Sequence, residues 1–412
     1  QDRLSAVTDQ SPSDLLHRCL ERVSRRVLGK KQEIEQLLIA FLVQGNCLLE
    51  GDAGTGKSLS KLSVENLRVS YQGREGPVQA LSGYHLEVAE GSLTVLLGES
   101  GCGKSTALNA IAGLVQPDGG KILLGEKTLF SRGGSDRHVS LAPNHRDIGM
   151  VFQSYALWPH LSVLENVMYP ARRRGATHAA AERAALEVLE MVRCSMLANR
   201  FPGELSGGQQ QRIALARAMV ARPKLVLFDE PLSNLDASLR RGLRDELARL
   251  HQQIGFTGVY VTHDQSEALA LGTELAVMDG GSIVQLGTPE QIYERPVNEF
   301  VARFFGANIV PGELSPPGRL DTEAGTFEYH GNTPVGSVRM AFMPHAALIQ
   351  PAPDGPLHVL TAMYLGSHWE VRLQAAGVEL LVEQRSEVTP PAPGTRVRLS
   401  IPPERVHAYS VD

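Results

Sequence analysis

The segment LTVLLGESGCGKSTALNAIAGL joins an apolar run, a glycine-rich turn and a second apolar stretch without a break. Nothing else in the chain limits its fold so tightly. LTVLL reads as a strand, TALNAIAGL as a helix, and residues 98–106 (GESGCGKST) as the connection between them. Such a turn aims consecutive backbone N–H groups at one spot, where the helix dipole adds positive potential. Gly98, Ser100, Gly101, Cys102, Gly103 and Thr106 are therefore candidate phosphate contacts, with Cys102 acting through its backbone and given no redox role. Lys104 is spaced to reach the β- and γ-phosphates, and the Ser105 hydroxyl to ligate Mg2+.

Downstream, LVLFDE at 225–230 reads as a buried strand that presents Asp229 and Glu230 at its C-terminal end. Behind such a loop, Asp229 is expected to hold Mg2+ through water, and Glu230 to act as general base on the attacking water. LSGGQQQR at 205–212 opens a further helix. Ser206 is placed to cap it, and Gly207 and Gly208 let a backbone approach an anion closely.

Together with the phosphate loop, LSGGQQQR strongly resembles the signature sequence of ATP-binding cassette (ABC) ATPases. Other marks of that family stand in order along the chain. Tyr71 matches the aromatic that stacks on adenine, and Gln153 in MVFQSYALWPH matches the Q-loop glutamine, a further ligand of Mg2+. SNLD at 233–236, with Asp236, matches the D-loop. His263 in VYVTHDQSEAL matches the switch histidine that contacts the γ-phosphate. The likeness runs from residue 62 to about 308. It implies ATP as substrate, Mg2+ as its companion ion, and Glu230, His263 and Gln153 as catalytic residues. It further implies a head-to-tail homodimer with composite ATP sites, in which Ser206, Gly207, Gly208 and Gln209 of one subunit face the phosphate loop of the other.

The resemblance also orders the chain. Residues 62–305 form the α/β P-loop NTPase cassette, with a helical subdomain at about 154–210 that receives the coupling helix of a membrane permease. Within it the periodicity predicts helices at 163–173, 178–193, 237–253 and 265–271, short helices near 289–294 and 298–304, and a hairpin about residues 280–281. LSVENLRVSY alternates like an edge strand. Beyond residue 306, proline and glycine become frequent and short strands recur at 337–342, 357–365, 369–373, 379–384 and 396–401. MYLGSHWEVRL and GTRVRLSIPPERVHAYS resemble the all-β OB-like barrel called the TOBE domain, so 306–412 is assigned to it. The family likeness is to importers of iron(III), polyamines or phosphonates, with maltose-type sugar importers sharing nearly all of it. It implies integral permease subunits as partners, an extracytoplasmic solute-binding protein reached indirectly, and a peripheral place on the cytoplasmic face of the inner membrane.

Composition excludes other classes. The net charge of −5 gives no basic field for nucleic acid, and no nucleic-acid partner is expected. The longest apolar run of the N-terminal part, 37–43, is far too short to span a bilayer, and the polar N-terminus carries no secretory signal. Cys19, Cys47, Cys102 and Cys194 show neither metal nor disulfide spacing, which fits a reducing compartment. The histidines other than His263 are expected to be solvated.

Residues 1–61 stand apart. They end in GDAGTGKS at 51–58, a second phosphate-loop pattern, and resemble the opening of a MoxR-type AAA+ ATPase. A working member of that family needs a helix behind the loop and its own acidic strand, yet the cassette's first strand starts only a few residues later. The block is read as a vestigial or accidental fusion rather than a second site. A AAA+ chaperone is thus the alternative from another class, and soluble ABC proteins of repair or translation are disfavoured by the C-terminal barrel.

Overall fold

Runs such as LTVLL, LVLF and VYV carry apolar side chains on consecutive positions, which only a strand covered on both faces can bury. The computed structural model describes residues 61–411 apart from 74–75 and 134–136, and in it these runs are neighbouring parallel strands. The readings of residues 1–60 made above lie outside the described residues.

In chain order come β1 (Leu62–Gly73), β2 (Gly76–Val88), β3 (Leu93–Leu97) and α1 (Lys104–Ala112). Next are β4 (Gly119–Leu124), β5 (Lys127–Arg132), β6 (Val139–Ser140) and β7 (Ile148–Val151). Three helices follow: α2 (Val163–Arg173), α3 (His178–Met191) and α4 (Gly207–Met219). Then β8 (Leu225–Asp229), α5 (Ala237–Ile254), β9 (Gly258–Thr262) and α6 (Gln265–Leu271) alternate. β10 (Glu274–Asp279), β11 (Ser282–Gly287), α7 (Pro289–Glu294) and α8 (Glu299–Phe304) complete this region.

The strand order β11-β10-β3-β9-β8-β7 is parallel except for β11, which turns back antiparallel on β10 as the expected hairpin. Alternate residues of each strand enter two different cores. Leu93, Val95, Val226, Phe228 and Tyr260 face the helices, whereas Leu96, Leu225, Leu227, Val259 and Val261 face α1 and a second sheet. That second sheet is antiparallel, in the order β2-β1-β4-β5-β6. The expectation of an edge strand at β1 is corrected here, because β1 is hydrogen-bonded on both sides, to β2 and β4. Its alternating pattern comes from one solvated face, not from an open edge.

The helical part is built by local signals. Ser162 and Glu165 form a capping box at the start of α2, and Thr177 caps α3. α2, α3 and α4 pack against one another. The expectation that the histidines are solvated fails at His251, which is 8% exposed and bonds the Phe256 carbonyl at 3.0 Å. Its place on the buried side of α5 puts the ring edge-on to Phe256.

From Asn308 onward the chain is all β apart from short 3-10 turns. The strands are β12 (Asn308–Ser315), β13 (Arg319–Thr322), β14 (Gly325–Glu328), β15 (Gly336–Phe342) and β16 (Leu348–Pro351). They continue as β17 (Leu357–Tyr364), β18 (His368–Ala375), β19 (Val378–Arg385), β20 (Arg396–Ser400) and β21 (His407–Ser410). Two five-stranded antiparallel sheets, β14-β13-β12-β15-β21 and β16-β20-β17-β18-β19, enclose one core that includes Val310, Met340, Phe342, Val371 and Val397. Asn308 ties the sheets together, exchanging two 2.8 Å hydrogen bonds with the backbone of Leu381. Among the described residues no helix is long and apolar enough to cross a membrane.

Candidate active site

Ligand-facing loops of a parallel sheet gather at the C-terminal ends of its strands. Here β3, β7, β8 and β9 deliver residues 98–106, Gln153, Asp229 with Glu230, and His263 to that edge. The loop after β3 closes tightly. Gly103 has φ 105°, and a Cβ there would lie 2.6 Å from the Ala80 carbonyl oxygen, so only glycine fits. Ser100, Gly101 and Ser105 are exposed, Thr106 is partly so, and Gly98, Cys102 and Gly103 are buried beneath. Lys104 is 5% exposed, and its ammonium donates to the Gly98 and Glu99 carbonyls, each at 2.7 Å. No described ion pair gives it a carboxylate partner, so its charge is held ready inside a ring of backbone. Tyr71 lies beside the loop, 44% exposed, with its hydroxyl 3.5 Å from Thr106 Oγ1.

Across the loop stand two adjacent acids. Burial raises the Asp229 carboxyl above the ordinary aspartate range, a hydrogen bond with Ser105 opposes the rise, and the charge of Glu230 adds to it. A half-buried carboxylate beside another acid and a serine hydroxyl is a fitting donor set for a hard divalent cation. Glu230 has φ 43°, a left-handed conformation that non-glycine residues adopt at a cost of roughly 1–3 kcal/mol. Its Oε2 lies 3.3 Å from His263 Nδ1. Ser233 Oγ donates to the Glu230 carbonyl at 2.9 Å, Gln153 Nε2 donates to Ser233 Oγ at 3.2 Å, and Asn234 Nδ2 donates to the Gln153 carbonyl at 2.9 Å. Gln153 thus contacts the 233–236 segment. Asp236 caps α5, and the Leu239 N–H and the Ser238 hydroxyl hold its carboxyl below the usual range.

Residues 206–209 are occupied differently. Ser206 and Gln209 form a reciprocal capping box that starts α4. A Cβ at Gly208 would sit 3.2 Å from Leu239 and 3.3 Å from Leu243, so this glycine lets α4 close on α5. No described hydrogen bond carries 206–209 to the phosphate loop. One chain therefore gathers Tyr71, 98–106, Gln153, Asp229, Glu230 and His263, and leaves 206–209 outside that cluster.

Three arginines that the sequence reading passed over support the cluster. Arg146, 2% exposed, donates to the Ala110 and Ile111 carbonyls at the end of α1 and to Leu141, and burial pushes its pKa down to about 10. Arg217 on α4 donates to the Tyr155 and Ala156 carbonyls, which follow Gln153 with φ 61° and 50°, and lies 4.9 Å from the Trp158 ring centroid. Arg240 on α5 faces Asp264 and Glu267, on either side of the start of α6. Apart from Leu141, five residues before Arg146, these partners lie too far along the chain for a local pattern to have shown them.

The chain resembles known proteins over most of its described length. The family model described as ABC transporter matches residues 81–233, and the TOBE domain model matches 344–408. The Fe(3+) ions import ATP-binding protein FbpC of Agrobacterium fabrum is 44% identical over 75% of this chain and 86% of its own. The FbpC of Rhizobium etli is 43% identical, covering 76% and 87%. The trehalose/maltose import ATP-binding protein MalK of Thermococcus litoralis is 47% identical over 56% of this chain and 62% of its own. Among solved structures, a dimeric ATP-binding cassette in a post-hydrolysis state bound to ADP and Pi is 33% identical, covering 55% of this chain and 98% of its own with TM-score 0.48.

Proposed function

Because this chain belongs to the ABC transporter family, we propose that it is the ATP-hydrolysing subunit that energises an iron(III) importer. The observation that carries the catalytic reading is the convergence of Lys104, Asp229, Glu230 and His263 on the C-terminal ends of adjacent strands. In this reading the loop N–H groups and Lys104 hold the β- and γ-phosphates, and Tyr71 stacks on adenine. Ser105, Gln153 and Asp229 would hold Mg2+, which supplies positive charge at the phosphates when bound. Glu230 accepts a proton from the attacking water, and His263, 3.3 Å away, orients that carboxylate and contacts the γ-phosphate.

The exposed loop and the outlying 206–209 turn support a homodimer in which each subunit completes the other's ATP site. Permease subunits and, through them, an extracytoplasmic solute-binding protein are the proposed partners, and the inner face of the membrane is the proposed location. Iron(III) is favoured over sugar because the relatives named for iron import align along three quarters of this chain, against 56% for the trehalose/maltose relative.

The test is iron(III) uptake in cells lacking this chain, resupplied with the wild type or with Glu230→Gln. The wild type should restore uptake and Glu230→Gln should not, while purified Glu230→Gln binds ATP within about two-fold of wild type and turns over at least about 100-fold more slowly. Near-normal hydrolysis by Glu230→Gln would remove the general base from this account. Restoration of maltose uptake without iron uptake would remove the cargo.

A further inference from the structure

We propose that Arg240 is a positioning residue that ties the 233–236 segment to His263 and so fixes the Glu230–His263 pair for hydrolysis. The inference rests on the reading of Glu230 and His263 given above. Arg240 lies in the first turn of α5, its N–H bonded to the carbonyl of the cap residue Asp236 at 2.9 Å. Its guanidinium reaches in two directions. One nitrogen, NH2, donates to the Leu235 carbonyl at 3.0 Å, inside the 233–236 segment. The other, NH1, donates to Asp264 Oδ2 at 3.3 Å, and the buried Nε, with no hydrogen-bond partner, faces Glu267 Oε1 at 3.9 Å.

Both acids bond residues that flank His263. Asp264 caps α6, its Oδ1 accepting from the Glu267 N–H at 3.0 Å and from the Ser266 hydroxyl at 2.6 Å. Glu267 is 3% exposed, and its Oε2 accepts from the hydroxyls of Tyr260 and Thr262, each at 2.9 Å. His263 therefore sits between Thr262, anchored through Glu267, and Asp264, anchored through Arg240. Among the described ion pairs, Arg240 is the cation shared by these two carboxylates. Removing it leaves two acids three residues apart with uncompensated charge, and frees the start of α6 to shift. The same segment already holds the other catalytic partner, since Ser233 Oγ bonds the Glu230 carbonyl. Residues 233–236 thus control both members of the pair, one directly and one through the fork of Arg240. A lysine cannot reproduce that reach, because a single ammonium replaces a planar fork.

Steady-state ATP hydrolysis by the full chain decides the matter. Arg240→Met should lower kcat at least about ten-fold and leave the KM for ATP within about two-fold, because the phosphate loop is untouched. In the same variant the His263 imidazole resonances, assigned by their loss in His263→Ala, should move. If Arg240→Met does not fold, Arg240→Lys replaces it, with an expected loss of about five-fold in kcat at unchanged KM. A kcat within two-fold of wild type in the variant tested, or a rise in KM matching the fall in kcat, would overturn the proposal. An active Arg240→Met beside an inactive Glu230→Gln would sink this inference alone, whereas an active Glu230→Gln would sink the reading of the site beneath it.

Discussion

Asp229 is held where its charged form is disfavoured, by burial first and by the neighbouring Glu230 as well. Its folded carboxyl binds a proton more readily than an unfolded aspartate, whose ordinary value is 3.8. The stability it contributes is therefore fully present below that value and is lost as pH rises through the higher folded value. At neutral pH the ionised Asp229 opposes folding until a cation arrives. Asp229→Asn should accordingly raise the melting temperature of the nucleotide-free protein at pH 7 by about 1–4 °C, with the gain vanishing near pH 4. ATP turnover should fall at least about 100-fold in the same variant. Calorimetry across that pH range checks it, and a lower melting temperature at pH 7 would contradict it. At this scale the sequence was informative wherever function is written contiguously, as in GESGCGKST or FDE. It was silent on Arg240, whose acidic partners Asp264 and Glu267 are 24 and 27 positions away and meet it only because α5 and α6 pack together.

Helix α1 carries the phosphate loop at its N-terminus, yet its own last turn contains no basic residue. Arg146, which follows the 3-10 turn between β6 and β7, supplies the missing cation, 36 positions along the chain from Ala110. A positive charge at the last carbonyls complements the helix dipole and satisfies acceptors that the helix itself leaves open. Arg146→Met keeps the bulk, removes the donors and strands buried carbonyls, at a cost of about 3 kcal/mol. Urea unfolding should register that loss, and a change below about 0.5 kcal/mol would refute the role. Elements with a strong local signal were legible to within a residue or two: β3, β8 and β9 from their continuous apolar runs, α2 from its periodicity and α4 from Ser206. β4, β5, β12, β13, β14, β16 and β21 were not, being short and glycine-bearing or half-buried, with no run long enough to set a period. β1 was recognised as a strand but misjudged as an edge, since alternation reports a wet face and says nothing of hydrogen-bonded neighbours.

Across the described molecule, the region around α7 joins the α/β part to the all-β part. Tyr293 stacks on His345 with ring centroids 5.8 Å apart, Arg405 pairs with Glu294, and the Tyr409 hydroxyl donates to the Pro296 carbonyl. The whole chain also carries two glycine-rich sequence patterns, at 51–58 and 98–106, of which the first lies outside the described residues. With β1 starting at Leu62, fewer than two helical turns separate Lys57 from the next strand. Among the described residues, no strand ending in Asp-Glu lies between the two to hold a cation there. All ATP chemistry is therefore expected at residues 98–106. Equilibrium binding of a non-hydrolysable ATP analogue to the full chain tests this most directly. One nucleotide per chain is predicted, lost in Lys104→Ala and unchanged in Lys57→Ala. Two per chain, with the second lost in Lys57→Ala, or binding that survives Lys104→Ala, would contradict it.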